Sequence, residues 1–335
     1  DGVVSKEQTE DYVTGLMTYT EGTPVLIDRD LVARLLKTFS MSATALNKFI
    51  RCRWSFYFEN LLRVPMARSA TMGYGSAIHY ALEMYFKTME ADPERKSPDP
   101  DTLTTHFIKG MKIYRSHFTQ MEFDNFNILE EKILREYYDE YRDQWNTAKQ
   151  TISEKNIKHT SIGEIPIKGK IDKVEVYDDH VKVIDYKTGT YKKDKLAGVS
   201  DEDQGGDYWR QLVFYKLLVD NDPTLDWKMK SGTMDFVEKA KTKVKYDKIE
   251  LPISPQDEEA VTKQLQELLS DYRMNLLSKS DWIKSINQEC DDIADTFITN
   301  LAEYKYLNNN FNNLFFELAR NIMLKLKIII VIQIG

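Results

Sequence analysis

Along residues 170–177, and again along 180–187, β-branched apolar residues alternate with polar ones, the period of a half-buried strand. Asp178-Asp179 separates the two runs, and aspartate tolerates the left-handed backbone of a tight turn, so the pattern predicts a β-hairpin. Pairing outward from the turn sets Val176 opposite Val181, Val174 opposite Val183, Asp172 opposite Asp185 and Lys170 opposite Lys187. Side chains alternate along a strand, so these eight share one face, apolar near the turn and charged at its far end.

Around this hairpin the pattern is mostly helical. Residues 25–38 carry Leu31, Leu35 and Leu36 at helical spacing, and Ser42 is placed to cap a helix that buries Ala45, Leu46, Phe49 and Ile50. Trp54, Phe56 and Phe58 follow as an aromatic core segment. A helix over 73–89 has Ile78, Leu82, Tyr85 and Met89 as its buried stripe, with His79 and Glu83, four apart, on a neighbouring face. Residues 91–102 are rich in Pro and Asp and predict a loop, followed by helices over 103–114 and 129–145. The second has Leu129, Ile133, Tyr137, Tyr141 and Trp145 in steps of four and reads as a packing helix. Residues 162–167 predict a short strand leading into the hairpin. After the hairpin come a Lys-, Asp- and Gly-rich loop over 188–208, a helix over 209–219, a strand over 233–237 and a charged hairpin-like segment over 239–248. Ser254-Pro255 reads as N-cap and first residue of a long helix with Val261, Leu265, Leu268, Tyr272 and Leu276 inward.

With 335 residues, 42% of them apolar and 12% aromatic, the chain can bury a sizeable core as one large domain or two small ones. The net charge of −7 argues against a protein that simply coats DNA, while leaving room for a local basic groove. There is no signal peptide and no apolar run of membrane-spanning length, so a soluble, intracellular chain is expected. Two cysteines, Cys52 and Cys290, make no disulfide framework and suit a reducing compartment. The first residue is Asp1 rather than methionine, which suggests a domain cut from a longer protein. Residues 163–170 superficially suggest a phosphate loop, but the glycine spacing is one residue too long and Ile171 stands where Ser or Thr is required. No helicase or ATPase motif is present.

Candidate chemistry gathers at the charged end of the hairpin. Opposed like charges on neighbouring strands destabilise, so Asp172 and Asp185 need a lysine or a divalent cation such as Mg²⁺ between them. In Asp185-Tyr186-Lys187 a carboxylate and an ammonium point the same way. That layout suits metal-assisted phosphodiester hydrolysis. The plainer reading is a surface hairpin with solvated charges.

The strings Gly169-Lys170-Ile171-Asp172 and Asp185-Tyr186-Lys187-Thr188-Gly189 resemble the core of the PD-(D/E)XK nucleases, in the RecB-type branch found C-terminal to UvrD-type superfamily 1 helicases in bacteria. Three further segments carry the likeness. Residues 42–62 are similar to the branch's opening, a helix leading into C-P-x-x-F-x-Y, with Arg53 in the proline position. Gly73 to Glu83 follows its G-x-G-x-x-(I/V)-H-x-x-x-E pattern, and Gln211 with Tyr215 its Q-x-x-x-Y.

The resemblance covers residues 40–290 and implies an α/β fold, a mixed central sheet flanked by helices with an N-terminal helical segment. It implies Mg²⁺-dependent cleavage of DNA, Mn²⁺ being the alternative metal, as an exonuclease on single strands or unwound ends in recombinational repair. Metal ligands would be His79, Asp172, Asp185 and the backbone carbonyl of Tyr186; Lys187 would assist the attacking water, and Gln211 and Tyr215 would support site and substrate. A superfamily 1 helicase, in the same chain or another, would be the partner, with no membrane, in the bacterial cytoplasm at the nucleoid. Some relatives hold an iron–sulfur cluster on four cysteines, which two cysteines do not supply. Two other classes compete: a nuclease fold that binds DNA without cutting, and a structure-specific endonuclease. Residues 1–39 read as lead-in, and 291–335, Asn-rich and then Lys-Ile-rich, as an atypical tail that is disordered or shifted in reading frame.

Overall fold

A computed structural model describes residues 29–64, 68–200, 204–239 and 245–274. Outside these lie the lead-in over 1–28, part of the lysine-rich segment, Leu276, Cys290 and the tail from 291. The side chains of Trp54, Leu129 and Tyr272 are likewise not among those described.

The described residues open with helices α1 (Arg29–Lys37) and α2 (Ala43–Arg51). Ser42 caps α2 as its sequence predicts, its hydroxyl accepting the Ala45 N–H at 3.2 Å. Cys52 ends that helix, and its Sγ accepts the Ser55 N–H at 3.1 Å, starting the aromatic segment that runs as a π-helical turn over Phe56–Leu61. Helix α3 (Ala70–Ala91) begins three residues before Gly73 because Ser69 takes the cap position. The predicted loop over 91–102 is shorter than expected: Asp99 caps α4 (Pro100–Ile113) with Pro100 as its first residue, a position where the missing N–H costs nothing. Helix α5 (Gln120–Tyr141) also starts earlier than its apolar stripe suggests, because Thr119 and Glu122 form a reciprocal capping box. Trp145 lies beyond that helix but is buried.

Among the described residues, five strands follow as one sheet in the order β1-β2-β3-β4-β5, namely β1 (Gln150–Ile162), β2 (Ile165–Val176), β3 (Val181–Lys187), β4 (Met229–Phe236) and β5 (Lys248–Pro252). Residues 162–167 are thus not a separate strand. Ile162 pairs with Ile165 across a turn at Gly163, which adopts φ 58°, so this stretch is the end of one long strand and the start of the next. Strands β3 and β4 are parallel, and α6 (Asp207–Asn221) makes the crossover between them; the other neighbours are antiparallel. Helix α7 (Pro255–Met274) closes the described chain, with Ser254 and Asp257 bonding each other's backbone at its start.

Two apolar clusters hold the sheet between helical layers. On one side Leu46, Leu212, Leu218 and Val261 pack with Ile167, Val174 and Val183. On the other, Ile78, Leu82, Phe107 and Tyr137 pack with Ile184, Tyr186 and Val237. The expected architecture, a mixed sheet flanked by helices with helices leading in, is what the chain adopts.

Helix α3 carries His79, and its seating against α4 depends on a close crossing. A Cβ on Gly110 would lie 3.0 Å from both Cα and O of Ala77. Gly110→Val should therefore force the two helices apart and lower stability by about 1–3 kcal/mol. Urea denaturation measures this, and a midpoint equal to that of the parent would show that the crossing has slack.

Candidate active site

The site forms where the sheet loses its ladder. Strands β2 and β3 pair from Val176–Val181 to Lys173–Ile184, in the register the turn predicts, and there the ladder stops. Asp172 and Asp185, and with them Lys170 and Lys187, are not paired across it, contrary to the expectation from alternation alone. The physical reason is the repulsion that two facing carboxylates would suffer. Asp172 instead accepts the Tyr186 N–H on Oδ2 at 2.9 Å.

The β1–β2 ladder is interrupted at the same level. It passes from Ser153–Lys173 to Lys155–Ile171, omitting Glu154–Asp172, and Glu154 has a left-handed φ of 55°. Ile165, Ile167 and Ile171 pack in the same cluster as Val174, so the inward phase of β2 slips by one residue across Asp172 and Lys173. Asp172 is thereby freed from regular pairing on both sides.

Into this gap α3 delivers His79, whose Nδ1 lies 3.3 Å from Asp172 Oδ1. Burial pulls the imidazole down, but the charges of Asp172, then Asp185 and Glu154, outweigh it and raise His79 to about 9. Glu154 forms an ion pair with Lys170, while burial pushes its carboxyl above the ordinary range. His79, Glu154 and Asp172 each offer one ligand atom, all within 4.8 Å of one another. One imidazole and two carboxylates in a half-buried cluster suit a divalent cation that prefers oxygen donors, so this donor set fits the metal the sequence implies.

Asp185 lies beside this group in a network of its own. Its Oδ1 accepts from Gln211 Nε2 at 2.9 Å and from the Tyr215 hydroxyl at 2.8 Å, and its Oδ2 stands 2.5 Å from Lys187 Nζ. Lys187 Nζ also donates to Gln211 Oε1 at 3.0 Å. Burial pushes Asp185 up, and Lys187 offsets part of that. Burial likewise pulls Lys187 down, but the Asp185 charge prevails and holds it above the ordinary lysine range, as an ammonium. Tyr215 is pushed well up by burial and by Asp185, so its hydroxyl remains a donor. The four-residue spacing of Gln211 and Tyr215 on α6 brings both to the same carboxylate.

Arg210 fixes α6 in place. It is almost fully buried, and its guanidinium donates to Gln264 Oε1 at 2.8 Å, Asn47 Oδ1 at 2.7 Å and the Gly205 carbonyl at 2.6 Å, tying α6 to α7, α2 and the preceding loop. Glu83, by contrast, ion-pairs with Lys87 at 2.6 Å, and its charge helps raise Lys170. The Tyr186 ring turns to the opposite core, edge-on to His79.

A family model described as the PD-(D/E)XK nuclease superfamily matches residues 40–304. The chain belongs to that superfamily. No curated protein matches it. Among solved structures it is similar to a protein from Eubacterium rectale described as "Putative exonuclease", with 16% identity, 77% of this chain and 84% of the other covered, and a TM-score of 0.38. It is also similar to SSO0001, with 14% identity, 74% and 88% covered, and a TM-score of 0.25. At these TM-scores neither likeness adds to the assignment. Within this PD-(D/E)XK chain, Asp172, Asp185, Lys187, His79, Gln211 and Tyr215 come together around one sheet break. Glu154 joins them although its sequence context gave no sign. Its strand has no sequence signature, and the gap in the β1–β2 ladder between Ser153–Lys173 and Lys155–Ile171 brings it beside Asp172. No helix among the described residues is long and apolar enough to cross a membrane.

The His79–Asp172 pair has a titration signature. In metal-free protein the imidazole should titrate near 9, and Asp172→Asn should lower that value, which two-dimensional ¹H–¹⁵N NMR of the ring reports. Because the folded value exceeds the unfolded one, the pair stabilises fully below about pH 6.5 and loses its contribution as pH rises through about 9. The thermal stability of His79→Gln should accordingly converge on the parent's above that range. A ring that titrates near its ordinary value would disprove the charge balance described.

Proposed function

We propose that the chain is a Mg²⁺-dependent deoxyribonuclease, acting as an exonuclease on single-stranded or unwound DNA ends. The observation that carries this reading is the junction of two half-sites: His79, Glu154 and Asp172 on one side, and Asp185 held by Lys187, Gln211 and Tyr215 on the other. In this reading His79, Asp172, Asp185 and the Tyr186 carbonyl hold the cation, with Glu154 as a further carboxylate at hand. The cation, when bound, lowers the pKa of a water and offsets charge on the phosphate.

The protein side of the chemistry follows from the hydrogen bonds. Lys187 enters as an ammonium, so it stabilises the negative charge that builds on the phosphoryl oxygens as water attacks phosphorus and the P–O bond breaks. Gln211 bridges Lys187 and Asp185, its carbonyl facing the ammonium and its amide the carboxylate, and so fixes the two in relation to each other. Tyr215 fills the remaining lone pair of Asp185 Oδ1 and leaves Oδ2 to Lys187. For His79 to ligate, its ring must lose the proton shared with Asp172, so cation binding should release a proton near neutral pH. Recombinational repair, a helicase partner and a place at the bacterial nucleoid complete the proposal. They rest on the resemblance of the motifs to RecB-type domains.

Incubation with end-labelled single-stranded DNA and Mg²⁺ should release label. Asp185→Ala and Lys187→Ala should each lower the rate by about a hundredfold or more. No release by the parent protein with either Mg²⁺ or Mn²⁺, combined with retained DNA binding, would make the chain a nuclease fold that binds without cutting. Internal products of defined size would make it an endonuclease.

A further inference from the structure

Lys187 has a neighbour that the hydrolytic role does not use. Its Nζ lies 5.0 Å from the centroid of the Tyr208 ring, and Lys195 Nζ, from the loop after β3, lies 4.9 Å from the same centroid. Tyr208 is the second residue of α6, about one turn before Gln211, and is half-buried. Its ring rests on Phe236 at 6.1 Å between centroids, and Phe236 in turn carries Tyr191 at 5.8 Å. An aromatic step thus leads out from the ammonium of the site to a second ammonium on a loop. Lys195 has no carboxylate partner among the described residues, nor do the exposed Lys192 and Lys193 beside it. Positive charge that pairs with no carboxylate among the described residues, next to a half-buried ring, is the combination that binds single strands: the ring stacks a base and the lysine takes a phosphate.

We propose that Tyr208 and Lys195 form the nucleotide subsite adjoining the scissile phosphate, with an unpaired base stacked on Tyr208 and the flanking phosphate on Lys195. The inference rests on the nuclease reading for its place in the reaction, but its binding test stands apart from cleavage. A base inside a duplex keeps its faces on its neighbours, so the subsite takes single-stranded and not double-stranded nucleic acid. Stacking reads no base edge, so it is tolerant of sequence.

The test is fluorescence anisotropy of labelled oligothymidylate in Ca²⁺ or EDTA, beside hydrolysis of methyl p-nitrophenyl phosphate, which carries a phosphodiester but no base. Tyr208→Leu should weaken oligothymidylate binding about tenfold. Tyr208→Phe, which keeps the ring, should stay within about twofold. Lys195→Gln should weaken binding less and reduce the salt slope by about 0.7. All three should hydrolyse the small diester as the parent does. Binding by Tyr208→Leu equal to the parent's overturns the subsite, and so does a parent protein that binds no oligothymidylate. Parallel loss of small-diester hydrolysis in Tyr208→Leu also overturns it, since the ring would then only position Lys187. A parent that binds oligothymidylate yet cleaves neither substrate removes the nuclease reading, and the binding comparison alone then decides the subsite.

Discussion

Two carboxylates laid opposite each other in a buried sheet repel and destabilise the ladder between them. Much of this molecule's local irregularity follows from that constraint. Lys173 and Glu175, two residues apart on β2, bury charges of opposite sign; their side chains pair at 2.7 Å, the Lys173 ammonium sits 4.1 Å from the Phe86 ring, and the β2–β3 ladder runs unbroken beside them. One residue earlier the charges facing across the strands have the same sign, and the ladder ends. Asp172 finds a backbone N–H and His79, while Asp185 finds Lys187, Gln211 and Tyr215. Each carboxylate is satisfied by elements brought from elsewhere in the chain, so the repulsion is answered by α3 on one side of the break and α6 on the other.

Those two helices are placed by features remote from the chemistry. Helix α3 comes close to α4 only because Gly110 has no side chain. Helix α6 is pinned by Arg210, a buried guanidinium whose donors reach three other segments. A buried arginine left without those acceptors would cost several kcal/mol, so its partners, Asn47 on α2 and Gln264 on α7, are part of what aims Gln211 and Tyr215. The site thus depends on both helical layers, although its name-giving residues lie on a single hairpin.

The hairpin, its turn and most of the helices could be read from the sequence, because alternation and helical spacing report burial directly. Ser42, and Ser254 with Pro255, marked helix starts through the chemistry of capping. Strand β1 could not be read. It is an edge strand in which residues such as Glu154, Asn156 and Lys158 interrupt any apolar period, and its conformation is imposed by β2 rather than by its own composition. Glu154 went unseen with it, since nothing local distinguishes a site carboxylate from a solvated one. The Asp172–Asp185 pairing failed for a related reason. Alternation fixes which residues share a face, but not where the ladder stops.

The way Asp185 is held bears on how such a site remains ready before a cation arrives. A carboxylate this deeply buried would tend to take up a proton, and a protonated Asp185 would be a poor ligand. Two neutral donors, Gln211 and Tyr215, favour the ionised form without adding charge, while Lys187 adds a positive charge beside it. On the other half-site Asp172 and Glu154 are matched by His79 and Lys170. Each half is therefore close to electrically balanced without metal, and a cation bound as proposed would displace these partners. Exchange of His79's proton for a divalent charge would then link metal occupancy to pH through the same contacts that keep the metal-free sheet from being pushed apart.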